Sequence, residues 1–251
     1  MNSLDLARAT ADPIQTIGMS FYFDPGTAAL AKVHDLNVFQ FYGLGRGGTL
    51  GDVDVDVVDR AFTFFHPRVY ELLWNGPKQK ANPVEIAASY LDAAYAFADR
   101  TFGGVDATVI DAFATASLKV ADGVTSDRHL LVDGYKKFTV PTSRVHAAYL
   151  GAILMRELRG GVHIEAVHEV GITPLEACYL QDATVFKMHG YQDDEVPEVT
   201  EETRAKKAEA ERLTEKKMAE CFEVLSDQER DDLANGARLM FAALSDPQSV
   251  A

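Results

Sequence analysis

Only two cysteines, Cys178 and Cys221, occur in 251 residues. Two thiols make no disulfide framework, so the fold must rest on an apolar core, and a reducing cytoplasm is the expected compartment. No run of about 18 apolar residues is present, so no membrane-spanning helix and no membrane partner are expected. The N-terminus lacks the basic-then-apolar pattern of a secretory signal. Basic residues are scarce: 24 Lys and Arg stand against 38 Asp and Glu, a formal net charge of −14. Nucleic-acid binders draw much of their affinity from counterion release, so a chain this acidic would need a local basic patch, and none is legible. There is no Gly-x-Ser-x-Gly, His-Glu-x-x-His, paired-cysteine or P-loop signature, and no cofactor can be assigned.

What is present is apolar content, 47% of the chain, enough for a real core. The periodicity is helical almost throughout. Residues 1–18 look polar and loose. A helix is expected in 37–51, stopping in the glycine run Gly43–Gly48, another in 52–66, and a short one from Pro67. The stretch 82–103 is the clearest, with Asn82 as cap and Glu85 closing a capping box. Helices follow in 106–121, in 126–138 and in 143–160, where Gly160 reads as a stop. A long charged helix (201–223) and a last one (227–244, capped by Ser226 and Glu229) complete the chain.

The stretch "RGGVHIEAVHEVGITPLEACYLQD" (159–182) reads as helix, tight turn at Gly171, helix. Thr173, Pro174 and Glu176 form a capping box with Pro at the first helical position. That is helix-turn-helix grammar, yet the second helix carries Glu176 and Asp182 and no Lys or Arg. Between Gly160 and Thr203 the only Lys or Arg is Lys187. Such a surface repels phosphate.

Other chemical candidates are weaker. Asp52, Asp54 and Asp56 begin like a calcium loop, but Val57 and Thr63 stand where Gly and Glu are required. Glu165 and His168 have Glu-x-x-His spacing, but a dinuclear site needs a second such motif, so no metal site is assigned. Aromatic density around 38–66 suggests a pocket lined by Tyr42, Phe64, Phe65 and His66, with Arg46 as an anion anchor, since ligand sites are mostly apolar with a few placed polar groups. His66 could instead be a hydrogen-bonded core residue, or an acid or base of an enzyme.

"FYGLGRGGTLGDV", then "VVDRAFTFFHP", then "RVHAAYLGAILMRELRGGVHIEAVHEVGITPLEA" together resemble the actinobacterial SalK-type helix-turn-helix family. The matching positions are Gly45, Arg46, Leu50, Gly51 and Val53, then Phe65, His66 and Pro67, then Arg159 and His163. The resemblance implies a mostly α fold: a helical N-terminal half (19–140) and a winged-helix-like second half (141–251), related to MarR-type regulators, or the two as one compact domain. It also implies a further helix and a hairpin wing after residue 182, where this chain instead has the short acidic segment 183–199, and a homodimer through the C-terminal helices. The expected activity is binding of a small organic ligand rather than DNA; a MarR-like regulator and an accessory biosynthetic enzyme using His66 are the alternatives.

Overall fold

The computed structural model describes residues 1–125 and 127–245. Ser126, the first residue of the helix expected over 126–138, and 246–251, the end of the second half, lie outside the described residues. The helices are α1 (Ser3–Met19), α2 (Pro25–Val33), α3 (Val38–Gly47), α4 (Val55–Phe62), α5 (Gly76–Lys78), α6 (Pro83–Phe102), α7 (Ala107–Gly123), α8 (Leu130–Tyr135), α9 (Arg144–Val170), α10 (Pro174–Gln181), α11 (Ala183–Met188), α12 (Glu201–Cys221) and α13 (Asp227–Ala243). No strand occurs among the described residues. After residue 182 a further helix, α11, is present, and a turn of 3-10 helix at Asp193–Glu195 stands where the family pattern has a hairpin wing. No helix is long and apolar enough to cross a membrane among the described residues.

The bundle is organised around α9, which packs against α1, α6, α7, α8 and α12. Its apolar stretch Ala148–Met155 is buried on every side, as a helix at the centre of a bundle must be. One continuous core runs from Leu6 to Met240 and takes in residues of both sequence halves. Trp74, Tyr90, Tyr135 and Tyr149 lie fully inside it. Tyr149 satisfies its hydroxyl by donating to the Ile17 carbonyl at 2.9 Å, as most buried tyrosines do.

Two expectations need correction. The N-terminus is not loose: Leu6, Thr10, Ile14 and Ile17 recur on one face of α1 and are buried against α9, α12 and α13. As expected, α3 stops within the run Gly43–Gly48, ending at Gly47 with Gly48 as its C-cap. A Cβ at Gly45 would sit 2.4 Å from the Tyr90 ring, and one at Gly48 2.0 Å from the Pro83 carbonyl. These glycines admit α6 and its neighbours at close range, which only a residue without Cβ allows. Gly160, by contrast, does not end a helix: α9 spans 27 residues without interruption. At Gly161 a Cβ would meet the His129 ring nitrogen Nδ1 at 2.5 Å, so that glycine again serves packing.

Most apolar positions of the C-terminal helices are packed within the chain, while Phe241 of α13 is exposed. Ala210, Thr214 and Met218 of α12, and Leu233, Ala237 and Met240 of α13, are buried where these helices meet α1, α7 and α9. A dimer using those faces would have to unpack the bundle. The helix-turn-helix grammar is realised as read. Gly171 is left-handed at φ 68, and Thr173 and Glu176 cap α10 reciprocally. Small apolar clusters apart from the main core seat α10 and α11: Val167, Ile172, Ala177 and Ala210 form one, Cys178, Phe186 and Tyr191 the other.

Candidate functional site

Residues of the main core and of these two small clusters line a cavity of about 1010 Å³. Its walls come from the end of α1, from α3, from the segment after α4, from the middle of α9, from the inner faces of α10 and α11, and from α12. The volume is at the upper end of what small-molecule sites occupy, roughly 300–1,000 Å³. Although the chain is strongly acidic, the lining holds six Lys and Arg against four Asp and Glu. The local charge is therefore opposite in sign to that of the whole protein.

The inner end is built by Arg46 of α3 with Arg156 and Glu157 of α9. Arg46 grips the Glu157 carboxylate with both prongs, Nε to Oε1 at 2.9 Å and Nη2 to Oε2 at 2.7 Å. Its Nη1 donates to the Tyr42 hydroxyl at 3.0 Å, and the Phe62 ring lies 4.4 Å from the guanidinium. Arg156 reaches the same carboxylate through Nη1 at 2.8 Å and stacks 5.3 Å from the centre of the Tyr22 ring. Glu157 is 1% exposed at its side chain. Burial pushes its carboxyl upward, but Arg46 and Arg156 together outweigh that and hold it below the usual carboxylate range. Burial carries the Tyr22 phenol up to about 12, so it stays a proton donor.

Three histidines line the cavity, and burial lowers the basicity of all three. His163 falls to about 4, and His129 and His189 fall below their ordinary value. Each is neutral at pH 7, which adds polarity without charge. The Thr214 hydroxyl donates to the Ala210 carbonyl at 2.7 Å. The His163 Nδ1, 2.9 Å from that hydroxyl oxygen, is therefore the protonated nitrogen of its ring. Cys178 also faces the cavity, but burial pushes its thiol up to about 12. It is protonated and lacks the thiolate a nucleophile needs.

Of the residues expected to form a pocket, Tyr42, Arg46, Phe64 and Phe65 line this cavity. Phe64 stacks with His163 at 5.8 Å and Phe65 meets His189 at 4.6 Å. His66 does not join them. It caps the turn Pro67–Val69 by accepting from the Arg68 amide at 3.1 Å, which swings its ring outward. There Nε2 lies 3.1 Å from Glu195, so His66 fastens the 190s to the chain after α4. An acid or base role in the cavity cannot fall to it. Glu165 is taken up by Arg128 at 3.0 Å and Lys217 at 3.7 Å, and His168 is exposed. No group of three metal-ligating side chains comes together among the described residues.

Sequence reasoning missed Arg156, Glu157, His129, His189 and Tyr22, and marked His163 only as a motif position. The pair Arg156–Glu157 had a signal: two adjacent charges within a helix stretch that is otherwise apolar from Ala148 to Leu158. Buried charges are kept only when paired or functional. His129 and His189 had none, because the walls they share come from segments far apart in sequence.

The sequence profile of a helix-turn-helix family matches residues 7–195. No curated protein and no solved structure matches the chain.

Proposed function

We propose that this chain, which belongs to the helix-turn-helix family, binds a small organic molecule in the cavity between α3, α9 and α10. The observation that carries the reading is the cavity itself: ligand-sized, walled by aromatic rings, and cationic within an acidic protein. The second helix of the motif supports it too. Ala177, Cys178 and Gln181 of α10 are cavity wall, and the helix has no Lys or Arg to offer a DNA groove. The motif then serves as a wall of a container. Kinship to the SalK-type proteins in particular rests on the glycine-arginine and Phe-His-Pro motifs, and it fits this reading.

N-phenyl-1-naphthylamine, a neutral aromatic dye that brightens in apolar surroundings, tests the cavity. It should bind wild-type protein saturably. Gly160 lines the cavity and a Cβ there meets nothing within 4 Å, so Gly160→Trp should fill the space without disturbing α9. We expect the dye affinity to fall by at least about tenfold, roughly 1.4 kcal/mol. Equal binding by both proteins, or none by wild type, would overturn the reading.

Family membership favours a second reading, a regulator whose DNA affinity answers to the ligand. It requires a gel shift at low salt with DNA from the chain's own promoter region, where phosphate contacts are strongest. Absence of any shift there would dismiss it.

A further inference from the structure

Two guanidiniums share one carboxylate at the inner end of the cavity, and their roles differ. Arg46 is fully used: two hydrogen bonds to Glu157, a third to Tyr42, and Phe62 against its face. It is the counter-ion of Glu157 and not a free anchor, which corrects the assignment made from sequence. Arg156 makes a single hydrogen bond to Glu157, and its Nε is buried without a partner. Its side chain is 13% exposed, and it lines the cavity. An unsatisfied buried donor on a charged group is costly to keep. The position is also enforced: a Cβ at Gly18 would meet Arg156 Cδ at 2.9 Å, so α1 carries a glycine where the arginine passes.

The charge count sets the class of ligand. Arg46 and Arg156 against Glu157 leave one positive charge uncompensated in a water-poor setting. No neighbouring imidazole adds to it, since the cavity histidines are neutral at pH 7. A second spare cation exists where Arg159 and Lys207 flank Glu211, but that group is more open, with side chains 28%, 14% and 39% exposed. Solvent screens a charge there more strongly than at the clamp. A dianion at the clamp would place its second charge against the Glu157 carboxylate.

Resting on the ligand-binding reading above, we propose that Arg156 anchors the acid group of the ligand. The ligand is then a flat apolar monoacid, with one carboxylate or sulfonate on Arg156 and its body among Phe62, Phe64 and Phe65. The Tyr22 ring beneath the guanidinium holds the fork in place, as stacked aromatics do for arginine.

The test compares two probes of one shape. With N-phenyl-1-naphthylamine bound, 2-naphthoate and 2-naphthamide are titrated as displacers; they share a ring system and differ by one charge. On wild type, naphthoate should displace the dye at a concentration lower by about tenfold or more, the scale of a charge-assisted hydrogen bond. In Arg156→Met that preference should vanish, each displacer being read against the dye affinity measured for that variant; the clamp persists there because Glu157 keeps both hydrogen bonds from Arg46. Arg156→Lys should regain part of the preference, since it restores the charge but not the fork. It also keeps the test open if Arg156→Met does not fold. Equal displacement by the two probes on wild type, or a preference that survives in Arg156→Met, would overturn the anchor and leave the cavity reading standing. Failure of the dye to bind wild type would instead remove both.

Discussion

Glu157→Ala is expected to lower stability by ~3–5 kcal/mol, because it leaves two buried guanidiniums without their shared counter-ion. Arg46 and Glu157 sit at 10% and 1% side-chain exposure, so water cannot replace the lost carboxylate. Urea unfolding followed by circular dichroism measures the loss. Arg156→Met should cost less, because the Arg46–Glu157 fork survives it. A loss below ~1 kcal/mol for Glu157→Ala would contradict a desolvated clamp and place it among ordinary surface ion pairs. The acid side follows from the same geometry. The Glu157 carboxyl is held below its ordinary 4.5, so its contribution is fully present above that pH and is lost as pH falls through the folded value.

The second large effect is a loss of stability between about pH 7 and pH 4, driven by the cavity histidines. In the unfolded chain each takes a proton near its ordinary 6.5. In the fold, burial delays protonation of His163 to about 4 and lowers His129 and His189 as well. Over that interval the unfolded chain holds more protons, so stability rises with pH and falls on acidification. For His163 the fall from 6.5 to about 4 corresponds to ~3 kcal/mol. Around it stand Glu211 at 3.8 Å from Nε2 and the cations Lys207 and Arg159, which oppose protonation. His163→Gln removes the titrating group and should flatten the stability profile between pH 6.5 and 4 by about that amount. An unchanged profile would show that the ring is not buried neutral.

The elements of this fold were largely visible in sequence, and the reasons are local. Asn82, Asp106, Thr173 and Ser226 are helix caps in the structure, and a cap depends on its near neighbours. The errors arose where distant partners decide. Gly160 looks like a stop, yet α9 runs on through it and the cavity borders it. The N-terminal segment looks polar because only one face of α1 is apolar, and a helical face counts only when something covers it. Of the site, the aromatic wall was legible, since Tyr42, Phe64 and Phe65 cluster in sequence. His66 was misplaced because the residue before a proline took a capping role. The anchor was displaced from Arg46 to Arg156, a choice that depends on which guanidinium Glu157 engages with both oxygens. Sequence spacing of 111 residues between Arg46 and Glu157 carries no hint of that.

Crystals of the protein grown with saturating 2-naphthoate test the central claim most directly. The ring should lie inside the cavity against Phe62 and Phe65, with its carboxylate within hydrogen-bonding distance of Arg156. A cavity left empty under those conditions, or naphthoate held elsewhere on the protein, would contradict the account.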